Sequence, residues 1–349
     1  MNRIAAGSAH PLAVAGPVGW LLVLSVLAAL LASIGRQRER RATAGLLAAA
    51  AVGAALPWSL AQGAARLLAG APEFARVSIG AGAWVVAAGA AVVAFAAVRT
   101  GPPTWARAAA ATLAIAGWAS AAALGGLGRL SLAREYAAQA PAFWAAVGTH
   151  LAVVGISLAI AVAIGVPLGV AAARVGWVRS AVLGTAGVIQ TVPSLALLGL
   201  LVLPLSAVGL PGIGALPGVI ALTLYSLLPI VRNTYVGLAS VDPAVTDAGR
   251  GMGMSRAQLL LRIEAPLALP LVIEGVRAAA VSIIGIAAVV AFVGVGTLGV
   301  LVFLGWGQQA DDLILLGALP MVLLAIVADA GLRQLARWAV SPGLRSVEG

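Results

Sequence analysis

The sequence predicts an all-α integral membrane protein with about nine transmembrane helices. Of its 349 residues, 62% are hydrophobic and 9% are charged, whereas soluble domains contain about 45–50% apolar and about 25% charged residues. Uncharged stretches close to the roughly 20 residues that cross a bilayer recur along the whole chain. Because a soluble fold of this length could not bury so much apolar surface, composition favours a multi-pass membrane protein.

The predicted spans are apolar runs of spanning length. They cover residues 14–34, 43–61, 77–98, 108–127, 147–173, 180–203, 215–231, 278–293 and 313–330. The first run is longer than the apolar core of a signal peptide, which has about 7–15 residues, and its stronger positive charge follows it. We therefore predict that this run is retained as a membrane anchor.

The basic residues, all of them arginines, lie mostly in the gaps between these runs. Of the 21, 16 fall on the side that follows odd-numbered spans and 5 on the other side. Because cytoplasmic loops carry the excess of basic residues, we predict a bacterial inner-membrane protein with its N-terminus outside and its C-terminus in the cytoplasm. The net charge of +10 is assigned to topology, with membrane lipid and not nucleic acid as the surroundings.

The side chains that catalysis and metal binding require are scarce in this sequence. The absence of cysteine excludes thiolate catalysis and Cys-ligated metals, and the two histidines, His10 and His150, are far apart. The phosphate-binding motif GxxxxGK[ST] needs a lysine, which the chain lacks. We therefore predict no catalytic, cofactor-binding or metal-binding residues and no enzymatic activity, and we place His150 at the membrane interface.

A mixed segment with several charged residues divides the chain into two membrane regions. We predict an accessory N-terminal four-helix membrane region at 1–128, an external linker at 129–146 and a second membrane domain at 147–341. The second domain contains a long loop at 232–266, on the predicted cytoplasmic side, with charges of both signs. Its length and mixed charge indicate contact with a cytoplasmic partner.

Within this loop the sequence predicts a short helix, a turn and a second helix. Asp242 caps free N–H groups and Pro243 suits a first helical turn. Gly253 permits the positive φ of a tight turn, and Ser255 caps a second helix. The loop is expected to end at Pro266 and Pro270, which would lead back into the bilayer.

The loop resembles the signature of ABC importer permeases. Asp247-Ala248-Gly249 is followed after three residues by Gly253, and after nine more by Ile263 and then Ala265-Pro266. The family has Glu, Ala and Leu where this chain has Asp247, Gly249 and Ala265. In that family the loop forms a coupling helix in a groove of the cytoplasmic ATPase. The resemblance implies ATPase-coupling roles for Asp247, Ala248, Gly249, Gly253, Met254, Ile263 and Pro266.

Further segments are similar to the osmoprotectant branch of these permeases, which takes up betaine, choline and carnitine. They are His150-Leu151, Gly165-Val166-Pro167-Leu168-Gly169, Gln190-Thr191-Val192-Pro193-Ser194-Leu195-Ala196, Leu228-Pro229-Ile230-Val231-Arg232-Asn233-Thr234 and Gly251-Met252-Gly253-Met254. The resemblance covers about 143–344, and the extra N-terminal spans resemble an extended subgroup. It implies a five-helix, MetI-like type I importer core, a second permease copy or paralogue, two ATPase subunits that bind ATP, and an external substrate-binding protein.

Gln190, Pro193, Pro229 and Asn233 are candidates for the solute path or its gate. The prolines at 167, 193 and 229 fit two readings equally well, because helix breaks can bend to open a path and can also be tolerated kinks. Both readings remain open from the sequence.

Two other solute-transport functions fit parts of the pattern. An ABC permease for another small solute, such as an amino acid, would share the loop. An ion-coupled secondary transporter would need ionisable residues inside spans, and Asp329 is the one candidate, although a local pair with Arg333 explains it better. Glu274 and Arg277 are expected to form a similar local pair at the start of the span at 278–293.

Overall fold

Helices make up almost all of the chain that the computed structural model describes, residues 8–11, 38–72 and 75–339, and this part contains no β-strand. The all-α membrane class is therefore confirmed. The predicted first span, at 14–34, lies outside the described residues.

The helices are numbered in chain order over the described ranges. They are α1 (Arg38–Leu67), α2 (Ala81–Arg99), α3 (Thr104–Ala123), α4 (Ser131–Arg174), α5 (Gly176–Thr191), α6 (Ser194–Ala207), α7 (Ala215–Ala239), α8 (Pro243–Gly251), α9 (Arg256–Ile286), α10 (Gly299–Gly307) and α11 (Asp311–Ala339). Short 3-10 turns occupy Gly126–Arg129 and Val289–Val293, and α9 contains a π turn at Leu260–Glu264.

Six of the described helices, α1, α2, α4, α7, α9 and α11, are long and apolar enough to cross a membrane. Helices α5 and α6 meet these criteria as a pair, but they are bent by 108° at the break between them. The described part of the chain therefore holds six or seven candidate spans. Helix α3 covers most of the predicted span at 108–127 without meeting the criteria, so nine spans stay a prediction.

The predicted span at 180–203 is not one straight helix. Helix α5 ends at Thr191, Val192 is extended with φ −72° and ψ 127°, and Pro193 stands before α6. A residue before proline is driven out of the helical region by contact with the proline ring. Pro193 therefore favours a break here, whereas Pro167 and Pro229 remain inside helices.

The predicted loop at 232–266 is shorter in the structure, because both flanking helices continue into it. Helix α7 runs to Ala239, and α9 begins at Arg256 and continues through Pro266 and Pro270. Proline lacks an N–H and crowds the carbonyl four residues earlier, and the π turn just before Pro266 provides a wider turn at that point. The expectation that these prolines end the segment is wrong.

The span at 278–293 also differs from its prediction. Glu274 and Arg277, expected at its start, lie well inside α9, which ends at Ile286 and is followed by the 3-10 turn. The charged pair is therefore within a membrane-spanning helix.

The chain divides into two compact units, Met1–Ala140 with Gly305–Leu313, and Pro141–Leu304 with Ile314–Gly349. The division at Ala140 falls inside the segment 129–146 that the sequence analysis treats as a linker. Residues 131–146 of that segment are the first turns of α4.

In the first unit, α1 packs against both α2 and α3. Val52 and Leu56 of α1 form an apolar cluster with Ala83 of α2. Gly117 of α3 lies so close to α1 that a Cβ atom there would be 2.4 Å from the Ala54 Cα atom. Small residues allow this approach of two backbones, as is common between membrane helices.

In the second unit, α7 packs against α4 and α9 through glycines. A Cβ atom on Gly169 of α4 would lie 2.5 Å from the Thr234 Cβ atom, and one on Gly275 of α9 would lie 2.7 Å from the Pro229 carbonyl oxygen. His150 of α4 is fully buried, with Nε2 3.1 Å from the Ile284 carbonyl oxygen. Its side chain therefore packs against α9, and its predicted level at the membrane interface stays a prediction.

Candidate functional site

Helix α8 forms the short helix that the sequence predicts between α7 and α9. The Asp242 carboxylate accepts a hydrogen bond from the Ala244 N–H at 2.8 Å, and Pro243 occupies the first turn. This cap satisfies a free N–H at the start of a helix of only nine residues. Local side-chain chemistry therefore fixes where α8 begins.

A tight turn connects α8 to α9. Gly253 has φ +78°, and its N–H donates to the Arg250 carbonyl at 2.9 Å, while the Met254 N–H donates to the Gly249 carbonyl at 3.1 Å. Ser255 and Gln258 then form a reciprocal capping box at the start of α9. The loop is thus a defined structure in which both helix ends are hydrogen-bonded.

One side of α8 is fastened to α9. Gly249 is buried, and a Cβ atom there would lie 2.7 Å from Leu259 Cδ1 and 2.9 Å from Ile263 Cδ1. The Met254 sulfur also packs here, 3.3 Å from the position that a Gly249 Cβ atom would occupy. The glycine that replaces the alanine of the family signature therefore lets α8 pack closely on α9.

The rest of the surface of α8, and the turn that follows it, is largely exposed. Asp247 and Arg250 form an exposed ion pair of 2.7 Å, and Ala248 is also exposed. Met252 is 74% exposed, and Val245 is exposed as well. Val245 and Met252 are therefore two large exposed apolar side chains in a loop whose other exposed residues are polar or small.

The structure therefore divides the seven residues predicted for coupling. Asp247, Ala248, Gly253 and Pro266 are exposed, Gly249 is buried, and Met254 and Ile263 are partly buried. The inward three hold the loop together and do not form its outer surface. Sequence reasoning did not select Val245 and Met252, although each is a large apolar residue among small and polar neighbours.

An ion pair attaches the loop end of α9 to α4. Glu264, which is 6% exposed in its side chain, pairs with Arg174 at the end of α4, which is 44% exposed. In the sequence, Arg174 contributes only to the uneven arginine distribution and Glu264 only to the mixed charge of the loop. Because 90 positions separate them, no local pattern indicated the pair.

The four predicted path residues form two separate groups. Gln190 Nε2 donates to the Tyr225 carbonyl at 3.0 Å, and the Tyr225 hydroxyl donates to the Val192 carbonyl beside Pro193. These bonds hold the α5–α6 break against α7.

The second group lies further along α7. Asn233 Nδ2 donates to the Pro229 carbonyl at 2.8 Å, about 12 Å of helix axis beyond Tyr225. Pro229 stays within α7 and Pro167 within α4, whereas Pro193 marks a break. The structure thus distinguishes a broken helix from tolerated prolines.

Among the described residues, no three His, Asp or Glu side chains lie close enough together to bind a metal ion. The arrangement instead combines apolar spanning helices, one broken helix pair and a rigid exposed loop. These features are those of a multi-pass membrane protein with a structured, exposed loop between two of its spans.

The comparison with known proteins then gives the family. Residues 165–340 match the family model described as a binding-protein-dependent transport system inner membrane component, and the chain belongs to this family of ABC importer permeases. Residues 1–133 match a second model, described as the N-terminal domain of the ABC transporter permease YehY.

Curated relatives match the second half of the chain over most of their own length. The osmoprotectant import permease protein OsmW of Salmonella typhimurium is 44% identical over 56% of this chain and 91% of the relative. The carnitine transport permease protein OpuCB of Listeria monocytogenes is 39% identical over 53% and 83%. The glycine betaine/carnitine/choline permease OpuCD of Bacillus subtilis is 42% identical over 51% and 76%.

A solved structure of the MetNI methionine ABC transporter, described as inward-facing, is similar in fold. It is 21% identical, covers 57% of this chain and 96% of its own, and superposes with a TM-score of 0.50. At this identity the likeness supports the MetI-like fold alone.

Proposed function

We propose that this protein is the permease subunit of an ABC importer for glycine betaine, choline, carnitine or a related osmoprotectant. The observation that carries the proposal is the rigid, exposed loop between α7 and α9, at the position of the family signature. The substrate class is supported by the relatives, whose names refer to osmoprotectants, carnitine, choline and glycine betaine. An external binding protein would select the solute and deliver it.

The outer side of α8 would dock on a cytoplasmic ATPase. Val245 and Met252 offer apolar contacts, and Asp247 with Arg250 offers charges of both signs. Two ATPases would serve a pair of permeases, either two copies of this chain or this chain and a paralogue. ATP would bind in those subunits, so this chain needs no cofactor.

Movement of the docked helix would pass into the membrane through two attachments. Gly249 holds α8 against α9, and the Glu264–Arg174 pair holds the start of α9 against α4. A displacement of α8 would therefore move α9 and α4 together, and the break at Pro193 would serve as a hinge. Gln190, Pro229 and Asn233 remain candidates for the path.

The proposal also covers the orientation of the protein in the membrane and its division into regions. The arginine distribution supports a multi-pass inner-membrane protein with its N-terminus outside and its C-terminus in the cytoplasm. The separate family match to residues 1–133 supports an accessory N-terminal region at 1–128, followed by the linker at 129–146 and the permease domain at 147–341.

The test is transport by the reconstituted complex. The chain would be purified with its ATPase, incorporated into proteoliposomes with the binding protein, and supplied with labelled glycine betaine, choline or carnitine. Uptake that requires ATP is expected. Uptake of amino acids alone would reassign the solute, and uptake driven by an ion gradient without ATP would favour a secondary transporter.

A further inference from the structure

Four charged side chains on α9 and α11 form a connected chain of ion pairs. Arg277 donates through Nε to Glu274 at 2.9 Å, and through Nη1 to Asp329 on α11. The other Asp329 oxygen accepts from Arg333. The series contains two positive and two negative charges. Its contact between the two helices is the one from Arg277 to Asp329.

These charges lie within apolar membrane-spanning helices. Asp329 is about 27 Å along the helix axis from the start of α11 at Asp311, and Arg277 is about 14 Å from the end of α9 at Ile286. Because the hydrocarbon core is about 30 Å thick, Asp329 lies close to the end of the predicted span at 313–330, and Arg277 directly precedes the predicted span at 278–293. The contact therefore lies near the predicted cytoplasmic ends of two spanning helices.

The contact between the two helices is accessible. The side chains of Arg277 and Asp329 are 24% and 28% exposed, so the pair is not sealed in the packed core. The contact therefore lies at the surface of the second unit and not in its core.

The position of Arg277 on α9 connects it to the docking loop, residues 240–255, which would dock on the ATPase. Helix α9 starts at the capping box of Ser255, directly after the turn that follows α8. From Arg256 it runs as one helix for about 32 Å to Arg277. Gly275, two residues earlier, lies against the Pro229 carbonyl. Helix α9 is therefore in close contact with α7 near the point where Arg277 meets α11.

We propose that Arg277 and Asp329 are a positioning pair, which transmits displacement of the docking loop from α9 to α11 and so sets the opening of the solute path. Neither residue needs to touch the solute. The inference rests on the proposed importer function, because it assigns a mechanical role to a helix that an ATPase would move.

The variants are chosen by the contact that each side chain makes in this series of ion pairs. Arg277→Gln and Asp329→Asn each remove the contact between helices. Glu274→Gln and Arg333→Gln are matched controls, because each removes one contact within a helix and leaves Arg277 paired with Asp329. Arg277→Lys keeps a positive charge and serves as the conservative rescue.

Each variant would be reconstituted with its ATPase and binding protein, and glycine betaine uptake and ATP hydrolysis would be measured together. We expect the two variants that break the contact to keep the ATPase bound and active but to lower solute uptake per ATP by about fivefold or more, the lower limit of typical coupling between sites. The controls should keep the wild-type ratio, and Arg277→Lys should recover most of it.

The double variant Arg277→Gln with Asp329→Asn should lose no more than the worse single variant, because both act through one contact. If Arg277→Gln does not assemble, Asp329→Asn decides the question. A wild-type ratio in the variants, or an equal loss in the controls, overturns the positioning role. Failure of the importer function itself would instead appear in the wild-type complex, as uptake that does not depend on ATP.

Discussion

Gly253 provides the sharpest test of the docking loop. Its φ of +78° lies in the left-handed region, and a Cβ atom added there would meet no atom within 4 Å. The cost of Gly253→Val is therefore conformational and not steric. A left-handed residue with a Cβ atom costs about 1–2 kcal/mol, and an energy of this size changes an equilibrium by a factor of about 5–30.

The neighbouring helical residue Gly251 provides the matched control. A Cβ atom there also meets nothing within 4 Å, and its φ is not positive. We expect Gly253→Val to reach the membrane normally but to bind the ATPase about 5–30 times more weakly, whereas Gly251→Val should bind with a much smaller loss. Gly253→Asn should recover part of the affinity, because Asn tolerates the left-handed conformation.

The assay is co-purification of the ATPase, with uptake measured in the same cells. The reasoning is refuted if Gly253→Val binds the ATPase and transports like the wild type. An equal loss in Gly251→Val would show that the surface of the loop, and not the conformation of its turn, determines binding.

The remaining predictions concern topology, packing and the attachment of the loop. A reporter fused after Arg41 should be cytoplasmic and one in 204–211 external; finding both on one side would reject the nine-span topology. Gly275→Ala places a Cβ atom 2.7 Å from a carbonyl oxygen and should destabilise the protein by about 1–3 kcal/mol, while Gly285→Ala, which meets nothing within 4 Å, should leave the thermal midpoint nearly unchanged. Glu264→Gln should lower stability by less than the about 3–5 kcal/mol of a fully buried pair, because its arginine partner is 44% exposed; an unchanged melting curve and unchanged uptake would remove this pair from the mechanism.

Much of the docking loop could be predicted from the sequence, because its structure depends on neighbours in the chain. Asp242 caps the helix that follows it, Gly253 takes the positive φ expected of it, and Ser255 caps the next helix. Each of these features needs only residues within a few positions. The inward orientation of Gly249 was not predicted, because it depends on where α9 lies.

Prolines show the limit of local reasoning in this protein. Pro193 stands at a break between helices, while Pro229 remains inside α7 and Pro167 inside α4. The same residue type has both outcomes, since neighbouring helices can satisfy or leave open the backbone groups that proline frees. The sequence left these two readings equal, and packing distinguished them.

The sequence by itself determined the membrane class, the docking loop and the family, because composition, local capping and motif spacing are properties of the chain alone. Only the tertiary structure decided that Arg277 meets Asp329, that Glu264 meets Arg174 and that His150 is buried. Soluble helices show their buried side as an apolar stripe. Membrane helices do not, because lipid and protein interior are both apolar. The rotation of each helix, and with it the pairing of distant charges, is therefore fixed only when the helices pack.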